Sequence, residues 1–217
     1  FPDKVSNKIL LSVTALLLIV IAGLRYETGG DWDIYTEEFY KIPHIRDIWT
    51  YRRAINEYEF EPGFIILCSL IRTFGGNVQV LFFVITAINI CLISSALKRY
   101  TKYSVVALMA YYGILYFSLE MIYIRQAIAV ALCFFACQYI NTKQLWKYIL
   151  VIALAAFFHR VAIVMIPLYW LLDKKLSAWL YISIIGLGAI VMLIGFPWIT
   201  NIFLTVSGWL GSNYAEK

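Results

Sequence analysis

Apolar positions in this chain fall in long unbroken runs, and polar ones gather in short clusters between them. Residues 9–24 are sixteen apolar or small residues, about 24 Å of helix at ~1.5 Å per residue. That is a slightly short crossing, completed by Lys8 and Arg25 reaching to the two surfaces. Residues 78–97 and 121–140 are full crossings, too long for the strands of an outer-membrane barrel. Residues 105–119 make another. Residues 148–158 and 161–172 predict two short helices around His159-Arg160. Residues 179–195 cross once more, and 196–217, with Pro197, Trp198 and Trp209, read as an interfacial amphipathic stretch. Residues 64–74 make only about 17 Å of helix, closed by Glu61-Pro62-Gly63 before and Gly75-Gly76-Asn77 after. The pattern predicts an all-α polytopic transmembrane bundle with short or re-entrant helices, residues 1–217 forming one transmembrane domain.

The one extended polar segment, 25–61, carries nine of the thirteen acidic residues against five bases. Basic clusters sit elsewhere, at Lys4 and Lys8, at Lys98, Arg99 and Lys102, and at Lys143 and Lys147. Under the positive-inside rule those ends are cytoplasmic and 25–61 is an extracytoplasmic loop. The parity of crossings then makes 64–74 re-entrant or in-plane. Composition agrees: 62% hydrophobic and 14% charged is far from a soluble domain, which carries about a quarter charged residues. The net charge of +5 belongs to loop ends and not to a nucleic-acid surface. Cys68, Cys91, Cys133 and Cys137 lie inside apolar runs with no His or acid near them in sequence, so they read as packing residues rather than metal ligands. No cleavable signal is visible. The chain starts without Met and stops at Ala215-Glu216-Lys217, and is read as a piece of a longer membrane protein.

This threading brings three polar groups to one face: 25–31, 120–126 and His159-Arg160. Ionisable groups at membrane depth cost roughly 2.5–3.5 kcal/mol each on insertion scales, so they default to function or to pairing. Arg125 falls in the first turns of the 121–140 helix, where the macrodipole disfavours a cation unless an anion joins it. A guanidinium beside free helical N–H groups suits phosphate. The competing readings are an ion pair with Glu120 or an arginine facing the headgroups. His159, in an apolar Phe157-Phe158-His159 setting, is a candidate base or hydrogen-bond partner for a sugar hydroxyl, or a buried His bonded to a carbonyl. Glu27, Asp31 and Glu61 are candidate carboxylates, and spacing does not select among them. Gly29-Gly30 lets the backbone approach a ligand or another segment closely. No nucleotide-binding or zinc-hydrolase motif and no serine nucleophile elbow is present.

Four motifs in order, Arg25-Tyr26-x-x-Gly29-x-Asp31-x-x-x-Tyr35, Glu61-Pro62-Gly63-Phe64, Ile124-Arg125-Gln126-Ala127-Ile128-Ala129 and Phe158-His159-Arg160-Val161-Ala162 with Pro167, resemble the EpsG family across roughly residues 9–172. These are Wzy-like polymerases of exopolysaccharide, capsule and O-antigen. Arg160-Val161 departs from the small or polar residue and Ser usual there. The resemblance implies a glycosyltransferase of the bacterial inner (cytoplasmic) membrane, with its active face extracytoplasmic. It would transfer undecaprenyl-pyrophosphate-linked chains en bloc onto an incoming lipid-linked repeat, without metal or other cofactor. Arg125 and Arg25 would hold pyrophosphate, and His159, Asp31, Glu27 or Glu61 would activate the acceptor. Tyr26, Gly29, Gly30, Tyr35, Glu120, Gln126 and Arg160 would line the substrate. The implied partners are the lipid-linked oligosaccharide, the bilayer, and a flippase and chain-length regulator of the same pathway, with no nucleic acid. The rivals are another lipid-linked glycosyltransferase, an O-antigen ligase, or a transporter of the same lipid.

Overall fold

The computed structural model describes residues 4–48 and 60–171, with seven further positions between 177 and 190. Most of the predicted crossing at 179–195 and all of the amphipathic stretch at 196–217 lie outside the described residues, as do Arg52, Arg53, Glu57 and Glu59. The chain divides into two compact units, Phe1–Trp170 and Leu171–Lys217, and the elements that follow build the first.

Among the described residues all regular structure is helical. Helix α1, Lys4–Gly23, is the first apolar run. Helix α2, Trp32–Lys41, rises inside the polar segment. Helix α3, Pro62–Thr73, has proline in its first turn, where the missing N–H costs nothing. Helix α4, Val78–Tyr100, starts at Asn77, whose side chain accepts from the Val80 N–H at 3.1 Å, and carries Lys98 and Arg99 in its last turn. Helix α5, Ser104–Met121, contains a π-helical turn at Tyr112–Tyr116. Helix α6 is Ile124–Asn141 and α7 is Leu145–Phe158. Helices α4, α5 and α6 are long and apolar enough to cross a membrane. Helix α3, with 12 residues, spans about 18 Å and is too short to do so.

After α7 the structure corrects the sequence reading. The expected helix over 161–172 is a 3-10 segment, Arg160–Met165, followed by a short α-helical turn at Leu168–Leu171. Bonds run from Ala162 N–H to the His159 carbonyl and from Ile166 N–H to the Ile163 carbonyl, each 3.0 Å. Pro167 has no N–H to give to a carbonyl four residues earlier, so an α-helix through it would lose a bond. Branched Val161, Ile163, Val164 and Ile166 weaken the α form further.

Packing between α1 and α4 is close because Gly23 lies on Phe83; a Cβ there would come within 2.8 Å of that ring. Gln79 then donates its amide to the carbonyls of Gly23 and Arg25, each at 2.8 Å, fixing the chain as it leaves α1. Helix α6 packs against α4 and α7 through small residues, Ala127, Ala131 and Ala136 among them. The segment from 25 to 48 is more than a solvated loop. Tyr35, Phe39 and Ile42 are buried with Phe60 and Phe64, each such side chain contributing about 1.5–3 kcal/mol where it leaves water. Arg72 of α3 donates to the carbonyls of Tyr40 and Ile42, and Ser69 to that of Pro43 at 2.7 Å. Helix α3 thus carries the polar segment on its back.

Candidate active site

The α1 exit, the α5–α6 turn, the α3 start and the α7 exit meet at one end of the bundle. Glu61 caps α3 and is buried at 4% exposure. Its carboxylate accepts from Arg125 at 2.5 Å and contacts His159 Nδ1 at 3.1 Å. A carboxylate accepts, so Nδ1–H is the donor to it, and in a neutral imidazole the lone pair is then on Nε2. Two features hold Glu61 there. Pro62 and the extended Glu61 backbone start the helix, and Gly63 allows it to touch the end of α7, where a Cβ would sit 2.7 Å from the Phe157 carbonyl oxygen. His159 follows two residues later in extended conformation.

Arg125 is the second residue of α6. Its anion is Glu61 and not Glu120, and its guanidinium stacks on Phe60, 4.4 Å from the ring centre. The Tyr35 phenol feels the charges of Arg125, Asp31 and Arg25. Burial pushes that phenol above its usual pKa, so it is neutral at physiological pH.

Arg25 lies deeper, 5% exposed and 4.2 Å from the centre of the Phe82 ring. One of its nitrogens donates to the Glu120 carbonyl. Its Nε and Nη2 are buried without a hydrogen-bond partner among the described residues. Burial lowers its pKa to about 10, which leaves it charged at neutral pH. Glu120 is fully buried and accepts from Tyr111 at 2.7 Å and Asn89 at 3.1 Å. Sequence reasoning did not single out Asn89 or Tyr111. An amide inside the apolar run 78–97 was the available signal.

The other candidates are exposed or half-buried, and the charge of Asp31 reaches the Tyr35 phenol. Glu27 is exposed with φ of +48°, and Asp31 precedes α2 without capping it through its side chain. Tyr26 is exposed, edge-on to Trp32, and Arg160 faces out. Gly29 takes φ of +102°, and a Cβ there would lie 2.0 Å from the Met121 carbonyl oxygen, so it is the point where the polar segment seats on the α5–α6 turn. Gly30 touches nothing within 4 Å of such a Cβ. Gln126 is exposed beside His159 in an apolar groove. Among the described residues, no three His, Cys, Asp or Glu cluster as metal ligands.

Membrane-length helices with a buried carboxylate, an imidazole and two guanidinia joined at one end define an integral membrane protein with a polar centre at its helix termini. The chain belongs to the EpsG family, which it matches over residues 8–217. That family is polysaccharide polymerase-like. No curated protein and no solved structure matches it significantly.

Proposed function

We propose that the protein lengthens a polysaccharide by joining lipid-linked oligosaccharides at the extracytoplasmic face of the inner membrane. The growing chain leaves its undecaprenyl pyrophosphate and passes whole to the incoming repeat. The observation that carries this reading is one carboxylate, Glu61, held between Arg125 and His159.

Glu61 holds Nδ1 of the imidazole, which leaves Nε2 to act as the base. In the step proposed, Nε2 takes the proton of the acceptor hydroxyl. The hydroxyl oxygen bonds to the anomeric carbon while the bond from that carbon to the pyrophosphate oxygen breaks. Lipid pyrophosphate departs with the electron pair, and the imidazolium is stabilised by Glu61. Negative charge grows on the leaving oxygen, and a fixed guanidinium beside it is worth about 3 kcal/mol or more. Arg125 is suited to this role: 23% of its side chain is exposed, and a guanidinium carries five donors. Arg25, with its two unpartnered nitrogens, supplies the second positive charge.

The test is glycan length in cells lacking the gene, complemented with wild type or Arg125→Ala at matched protein level. Long chains with wild type and single surface repeats with the variant support the reading. Normal polymerisation by the variant removes Arg125 from the site. Repeats that never reach the outer face without the gene would make the protein a transporter, and loss only of transfer to a lipid A core would make it a ligase.

A further inference from the structure

A groove of about 420 Å³ runs down α6, beginning at Gln126 and His159 and ending near Cys137. Gln126, Cys133 and Cys137 form one wall at helical spacing; Val161, Val164 and Met165 of the 3-10 segment form the other. From 126 to 137 the groove covers about 16 Å of helix axis. Its polar groups sit at the head, where His159 belongs both to the groove and to the Glu61 pair, and Arg125 precedes Gln126 in the chain. Below that point it is apolar, lined by hydrocarbon and the thiols of Cys133 and Cys137, along a helix long enough to cross the membrane. The volume falls in the range of small-molecule sites. An occupant that matches it has a polar head at Gln126 and His159, next to Arg125 in the chain, and an apolar chain that descends along α6.

We propose that this groove binds the first part of the isoprenoid chain of the lipid pyrophosphate substrate, so that α6 and the 3-10 segment set the height of the pyrophosphate against Arg125. The inference rests on the polymerase reading and adds the place of the lipid. It also gives the break at 160–165 a role. A continuous α-helix in place of the 3-10 segment would present its side chains at another angle to α6, and the wall formed by Val161, Val164 and Met165 would be lost.

The experiment uses the full chain in its native membrane and a polyprenyl diphosphate bearing a photoreactive group in its chain. Peptides containing 129–137 and 161–165 should take the label. Unlabelled polyprenyl diphosphate should reduce that labelling about tenfold under conditions where phosphatidylglycerol leaves it unchanged. Val164→Trp, at an exposed position, and Cys137→Trp should weaken binding of the long-chain diphosphate about tenfold and leave a short, water-soluble prenyl diphosphate unaffected. Equal competition by phosphatidylglycerol would show an ordinary bilayer lipid in the groove and overturn the proposal. So would labelling confined to other helices. Glycan length in the same cells separates the two readings. Polymerisation with labelling elsewhere overturns the groove alone; groove labelling without polymerisation supports the groove and overturns the polymerase.

Discussion

At Glu61 one side chain serves two partners, and its substitutions are expected to differ in kind. Glu61→Gln removes the charge opposite Arg125 and leaves a buried guanidinium short of its anion, a loss of about 3–5 kcal/mol for pairs of this sort. It also frees the imidazole to rotate. Polymer should fall to single repeats while the protein level, read on immunoblots, drops. Arg125→Lys keeps the charge but cannot stack on Phe60 and contact both a carboxylate and a phosphate, so activity should fall at least about a hundredfold with little change in thermal stability. Measuring product length and melting temperature together checks both. Arg125 and His159 were legible in sequence because each breaks an apolar run. The partner was not. Glu27, Asp31 and Glu61 look alike along the chain, and only the approach of α3 to the α7 exit selects Glu61. Glu120 was legible as polar, but its full burial, with Asn89 and Tyr111 donating to its carboxylate and Arg25 to its carbonyl, was not.

Elements meet where a side chain would keep them apart, and two glycines mark the places. Gly29→Ala faces both a left-handed backbone, costing roughly 1–2 kcal/mol, and the Met121 carbonyl. Its melting temperature should drop clearly, while Gly30→Ala next to it should melt like wild type. Gly63→Ala should push α3 from Phe157, lengthen the 3.1 Å contact between Glu61 and His159, and abolish polymer at near-normal protein level. The sequence offered Gly29 and Gly30 as equals, since a tight turn accepts either. Only the carbonyl standing over Gly29 distinguishes them. The crossings themselves were plain, because runs such as 78–97 admit no other reading at that length. Less plain was the failure of the helix after His159, although Pro167 stood in the sequence as its cause.

Across the first unit, the polar centre lies at one end of its helices, and Lys98, Arg99, Lys102, Lys143 and Lys147 belong to the opposite ends of α4, α6 and α7. The proposed orientation sets the first end outside. Thr28→Cys in a chain without its native cysteines should react with a membrane-impermeant maleimide in intact cells, and Lys102→Cys should react only after lysis; the reverse pattern would turn the protein over. Family and fold class were both readable from the chain, the first from four ordered motifs and the second from hydropathy. The threading already put 25–31, 120–126 and His159-Arg160 on one face; what lay beyond the sequence was that Glu61 joins them, since Glu61 and His159 are 98 residues apart and meet only through helix packing.

The account depends most on bond formation at this centre. Its direct measurement is purified protein in lipid vesicles, supplied with the lipid-linked repeat and assayed for free polyprenyl pyrophosphate and glycan length together. Wild type should release one lipid pyrophosphate for each joining step as the glycan grows by whole repeats, and Glu61→Gln should release none. Movement of the repeat between leaflets with no pyrophosphate released and no longer glycan formed would contradict the account.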